Sequence, residues 1–245
     1  MKIVASLRLK AKIFLSLSLA VILSGILICA RMVFTEPAID ASVSAKEKPT
    51  VIIDAGHGGI DGGTQSADGT LEKDINLAIA LKLNDYLISM GYDTVLIRDT
   101  DVSIHDESAV TIREKKVSDL KNRLKIVEST KNAVLVSIHQ NFYTQTKYSG
   151  AQVFYSGNNP ESERLARTIQ KNISDYIQTE NTREIKKSGS EIYLLKKTTV
   201  PAVMVECGFL SNTEEAQRLK NENYQQEIAF IIAISISDYI NTAEE

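Results

Sequence analysis

TVIIDAGHGGIDGG, residues 50–63, runs from a short apolar segment straight into a loop crowded with glycine. Val51, Ile52 and Ile53 follow one another without a polar break, which fits a strand buried on both faces. The glycines beyond it let the backbone turn sharply. Apolar residues then recur at helical spacing through 74–90, at Ile75, Ala78, Ile79, Leu83 and Leu87, and Gly91 offers a C-terminal cap. A strand, a glycine loop and a helix in this order predict an α/β unit.

The rest of the chain repeats the alternation. Strand candidates lie at 94–97, 134–139, 152–155, 192–195 and 202–206, with helical patterns near 118–131, 161–178, 213–220 and 224–239. Residues 99–117 are charged and weakly periodic and predict a surface excursion. The pattern implies one α/β domain over 50–245: a twisted, mostly parallel sheet of about six strands with helices on both faces. Ligands of such sheets bind beyond the carboxyl ends of the strands. His57 follows the first strand, and His139 and Glu206 end two others, so metal-competent side chains are expected at that edge.

The 245 residues are 43% apolar, enough for one full-sized core. Lys2, Arg8, Lys10, Lys12 and Arg31 all precede the first acid, Glu36, so the remainder is more acidic than the chain's net charge of −3. An acidic domain without a basic stripe is poorly suited to phosphate backbones, which excludes nucleic acid as a partner. Apolar and small residues dominate 13–30 behind that basic flank, so 1–30 reads as a signal peptide or an N-terminal membrane anchor and implies export. Residues 31–49, with two prolines and no apolar period, read as a tether. Cys29 lies in the apolar run and Cys207 is the only other cysteine. A metal in the domain therefore needs histidine and carboxylate ligands.

An open zinc site with two imidazoles and one carboxylate suits hydrolysis of an unactivated amide, because the ion lowers the pKa of its water to roughly 7 and stabilises the oxyanion. A carboxylate outside the ligand set then carries the proton to the leaving amine. Of three histidines, His105 in SIHDES reads as a surface-loop residue. His57 and His139 remain, although singly the first could be a turn residue and the second a satisfied strand-end histidine. A nucleotide cradle fails on spacing: Gly56 and Gly58 begin G-x-G-x-x-G, but Asp61 holds its sixth position and no P-loop lysine follows.

IIDAGHGGIDGG, LEKDINL, RDTD, VSIHQN and PAVMVECGFLSN, in this order and at these separations, resemble the zinc-dependent N-acetylmuramoyl-L-alanine amidases of the Amidase_3 type. The likeness runs from about residue 50 to 240. It implies hydrolysis of the amide between the lactyl group of N-acetylmuramic acid and L-alanine of peptidoglycan. It further implies one Zn2+ held by His57, Glu72 and His139, with Glu206 as the catalytic carboxylate. Asn141, Arg123 and Arg183 also match family positions, as substrate contacts or as supports behind the ligands. Val127, Glu128 and Gln140 depart from common family residues without touching that set, and Cys207 is expected to pack.

Neither cell-wall-binding repeats nor a long helical plug between His139 and Glu206 is evident. Together with SIHDESAVTIREKKVSDLKNRLKIV, this resembles the germination-specific amidases of endospore formers, which implies cortex maturation toward muramic-δ-lactam and a place in the wall or spore intermembrane space. Restraint of the activity would then fall to timing, location or a regulatory protein partner that completes the zinc site. The alternatives are a zinc peptidase acting within the stem and a silent wall-binding module.

Overall fold

Strand β1, Thr50–Ala55, is an interior strand of the sheet, and its burial on both faces explains the unbroken apolar run. The computed structural model describes residues 21–25 and 47–242. After β1 come α1 (Glu72–Ser89), β2 (Thr94–Leu96), α2 (Ile112–Ser129), β3 (Ala133–Asn141), β4 (Gln152–Tyr155) and α3 (Glu161–Tyr176). β5 (Lys186–Lys187), α4 (Tyr193–Lys197), β6 (Ala202–Phe209), α5 (Thr213–Lys220) and α6 (Glu222–Thr242) complete the fold. The strand order is β2-β1-β3-β6-β4-β5. β2, β1, β3 and β6 run parallel, while β4 is antiparallel to β6 and carries β5 parallel to itself. The expected α/β class, strand number and mostly parallel pairing are all found.

Alternate residues of the apolar strands enter two unequal cores. Val51, Ile53, Val134, Val136, Val203 and Val205 pack with apolar residues of α1, α3 and α6 in the larger one. Ile52, Leu135 and Ala202 point the other way, into a smaller core closed by Val127 of α2 and Leu194 of α4. The second face is thus covered by one long helix and one short one, and the helices on both faces agree with the sequence pattern.

Two expectations need correction. Residues 192–195 are not a strand: Tyr193–Lys197 is the short helix α4, and the edge strand is instead the exposed pair Lys186–Lys187. A short apolar run is ambiguous between strand and buried helix, and a two-residue edge strand leaves no apolar signal. The excursion at 99–117 ends earlier, because α2 begins at Ile112 behind a capping box in which Thr111 and Glu114 exchange side-chain and backbone hydrogen bonds. Residues 48–242 fall within one compact unit. Apart from residues 21–25, the expected leader or anchor lies outside the described residues, as does most of the tether. Residues 21–25 form a turn of helix with exposed side chains, and among the described residues no helix is long and apolar enough to cross a membrane.

Candidate metal centre

His57 and His139 approach each other from loop and strand, and Glu72 meets them from the first turn of α1. Glu72 Oε2 lies 3.2 Å from His57 Nε2, and Oε1 lies 2.9 Å from His139 Nδ1. The two imidazoles meet edge to face with centroids 4.9 Å apart. One ligand atom from each of the three residues falls within 4.8 Å of the others. The loop can wrap this tightly because of two glycines. A Cβ at Gly56 would stand 2.1 Å from His139 Nε2, and one at Gly63, where φ is +69°, would stand 2.5 Å from Glu72 Oε2. His57 itself adopts φ 62°, a conformation that costs a non-glycine residue energy and is held only by its surroundings.

Those surroundings are polar and specific. Asp61 Oδ2 lies 2.9 Å from His57 Nδ1 and its other oxygen accepts from Lys116 Nζ at 2.8 Å. With Nδ1–H donating to Asp61, Nε2 faces Glu72, and loss of the Nε2 proton leaves a lone pair there for a cation. Arg123, 2% exposed, donates Nη2 to the His57 carbonyl at 2.6 Å and Nη1 to the Ala55 carbonyl at 3.0 Å, and pairs with Asp54 and Asp119. Asp54 also accepts from Ser137 Oγ. Burial alone would raise the Asp54 carboxyl, but Arg123 and Ser137 outweigh it and hold it below the usual range. Arg98 grips the other side of the loop, donating to the carbonyls of Ala55, Gly56 and Lys73.

Glu72 is 3% exposed and accepts from the backbone N–H groups of Thr64 and Gln140 at 2.9 and 3.1 Å and from Asn76 Nδ2 at 3.2 Å. Burial alone would raise its pKa, but the two histidines overcome that penalty and keep it ionised well below the usual range. His57 moves the opposite way: burial disfavours its charge, but hydrogen bonds to Asp61 and Glu72 raise it to about 9. Two imidazoles and one carboxylate, without a thiolate, form the donor set of an open zinc site. The residues present therefore fit a divalent zinc-like ion.

Glu206 stands opposite. It is the direct partner of His139 in the β3–β6 register, and its Oε2 is buried with no hydrogen-bond partner. Burial, helped by the charge of Glu72, raises it to about 7, while the histidines and Arg183 pull it back. A carboxyl poised near neutrality beside the histidines can both take and return a proton. β3 and β6 each continue past this pair, with a register irregularity between His139 and Asn141. On the far side of β6, Gln152 of β4 pairs with Glu206, and Asn141, Gln152 and Arg183 line a groove of about 310 Å³.

Residues 51–238 match the family model described as N-acetylmuramoyl-L-alanine amidase. The chain belongs to the N-acetylmuramoyl-L-alanine amidase family. A germination-specific amidase of Bacillus subtilis is 35% identical over 189 residues, covering 77% of this chain and 78% of that protein. AmiA of Escherichia coli is 28% identical over 236 residues, with 79% and 77% covered. Among solved structures, the CwlD amidase of Clostridioides difficile, in complex with the GerS lipoprotein, superposes with a TM-score of 0.76 at 43% identity, covering 79% of this chain and 99% of that one. AmiC2 of Nostoc punctiforme gives 0.68 at 30% identity, with 79% and 97% covered.

Within this amidase fold the sequence candidates separate. His57, Glu72 and His139 converge, Glu206 is paired with His139 across β3 and β6, Asn141 and Arg183 lie in the adjoining groove, and Arg123 is a buried support away from it. His105 stays outside the cluster, half-buried with Ser103 Oγ 2.9 Å from its Nδ1. Cys207 packs in the larger core, where burial pushes its thiol pKa far up. Gln140, one of the departures, donates Nε2 to Asn76 Oδ1 at 3.1 Å behind Glu72. Sequence reasoning missed Asp61, Arg98 and Lys116. The signal for Asp61 was available, since an acid beside a candidate histidine in a glycine turn can hold its second ring nitrogen.

Proposed function

We propose that this amidase binds one Zn2+ through His57, Glu72 and His139 and hydrolyses the amide between the lactyl group of N-acetylmuramic acid and L-alanine. One observation carries the reading: Glu206, with an unpaired, buried carboxylate oxygen, is the cross-strand partner of His139 in a His-Glu-His donor set. When bound, zinc supplies positive charge for the scissile carbonyl and a water that ionises near neutral pH. Asp61 orients His57 by holding Nδ1, and Glu72 and Gly56 seat His139. Glu206 takes the proton of the attacking water and returns it to the departing L-alanine nitrogen. Arg123 and Arg98 keep the strained His57 loop in place throughout.

The likeness to the germination-specific amidase supports a role in germination; the sequence resemblance extends this to spore cortex maturation upstream of muramic-δ-lactam, and the basic and apolar N-terminal segment extends it to export. The CwlD structure with a lipoprotein supports a regulatory protein partner here. Mass spectrometry of peptidoglycan digested by the zinc-loaded protein tests the activity. Intact stems with free L-alanine amino termini are expected. Shortened stems would point to a peptidase, and no release to a silent binding module.

A further inference from the structure

Glu206 can protonate the departing nitrogen only if that nitrogen lies on the Glu206 side of the scissile carbonyl. If Glu206 acts as proposed above, the stem peptide therefore leaves the centre across β6 toward β4, and the glycan lies toward His57. On that side the sheet presents one continuous row on one face. His139 pairs with Glu206, Glu206 pairs with Gln152, and Gln152 Oε1 accepts from Arg183 Nη2. Directly paired residues of neighbouring strands share a face, so the row is set by register.

The groove at the end of this row carries two cations, Arg183 and Lys186, and no acidic side chain. Arg183 is built in. Its guanidinium stacks 4.9 Å from the Phe209 ring centroid, and Nε is buried without a hydrogen-bond partner. Lys186 rests over Phe154. A guanidinium fixed by an aromatic face and by Gln152, and lining a groove without acids, is suited to a carboxylate. Along the stem, the first free carboxylate beyond L-alanine is the α-carboxylate of the second residue, D-glutamate, which continues the chain through its γ-carboxyl. One extended residue spans roughly 3.3–3.6 Å and neighbouring strands lie roughly 4.7–4.9 Å apart. The second residue of a stem that starts over Glu206 therefore lies above β4.

We propose that Arg183, supported by Lys186, binds the α-carboxylate of the second stem residue and makes the enzyme discriminate between acidic and amidated stems. The test uses two muramoyl-L-alanyl-D-glutamate derivatives, both amidated at the γ-carboxyl, one with the α-carboxyl free and one with it amidated. The wild type should favour the free carboxylate by about tenfold or more in kcat/KM, as expected for one charge-assisted pair. Arg183→Gln should bring that ratio toward 1, and Arg183→Lys should leave an intermediate one. A wild-type ratio near 1, or a ratio unmoved by Arg183→Gln whatever happens to the absolute rates, overturns the proposal. Binding of the matching dipeptides to the zinc-loaded protein, by calorimetry, gives a second readout free of turnover. If neither derivative is cut, the amidase reading fails. The preference for the free-carboxylate dipeptide, and its loss in Arg183→Gln, would still support the carboxylate site, and equal binding would overturn it.

Discussion

Replacing Asp61 by alanine removes the group that holds His57 in the form a cation needs, without touching any of the three ligand residues. Asp61 lies 2.9 Å from His57 Nδ1, and both side chains are about three-quarters buried. Two terms enter. Losing the carboxylate frees the imidazole to rotate and to take the other tautomer, which for a carboxylate–histidine–metal arrangement costs about 10–100-fold in metal affinity. Lys116, the second partner of Asp61, is 48% exposed, so its freed ammonium returns to water at negligible cost. The first term wins. Above about pH 9, where His57 has no proton to give up, Asp61→Ala should weaken zinc binding about 100-fold and Asp61→Asn, which can still accept one hydrogen bond, about tenfold. Lys116→Met should change it by less than about threefold. Competition against a chromogenic chelator measures all three. An Asp61→Ala protein that holds zinc within about threefold of the wild type would refute the assigned role.

Glu206→Gln should lower stem release by about 10²–10⁴-fold while zinc content, measured by elemental analysis, stays equimolar; unchanged release would remove Glu206 from the reaction. Arg123→Met should destabilise the fold by about 3–5 kcal/mol in urea titrations, because Asp54 and Asp119 lose their buried counter-charge; a shift under about 1 kcal/mol would contradict that account. His57 in the metal-free protein is raised to about 9, against about 6.5 for a free imidazole. The stabilisation from its Asp61 and Glu72 contacts is therefore complete below about pH 6.5 and is lost as pH rises through about 9. Metal uptake between these limits should release one proton from His57, so apparent zinc affinity should rise about tenfold per pH unit up to about pH 9. Calorimetry in buffers of different ionisation enthalpy counts that proton, and a count of zero would be inconsistent with a charged His57.

The local pattern carried much of the architecture. Val51–Ile53 reads as a buried strand because a strand enclosed on both faces has nowhere to show a polar residue, and α1 and α6 announce themselves through apolar spacing. α4 and β5 were not legible, since four apolar residues or two lysines satisfy several conformations and only neighbouring strands choose among them. In the site, scarcity did the selecting: with three histidines and one cysteine in the domain, His57 and His139 stood out, whereas Glu72 and Glu206 emerged from motif resemblance among many acids. What the chain alone determined is the donor chemistry and the strand ends that present it. Only the tertiary structure decided that Arg123, sixty-six residues from His57, clamps its carbonyl, that Asp61 rather than another acid faces Nδ1, and that Arg183 closes a row begun at His139. These are contacts across the sheet and between loops. Register and packing set them, and neither has a period that can be read along the chain.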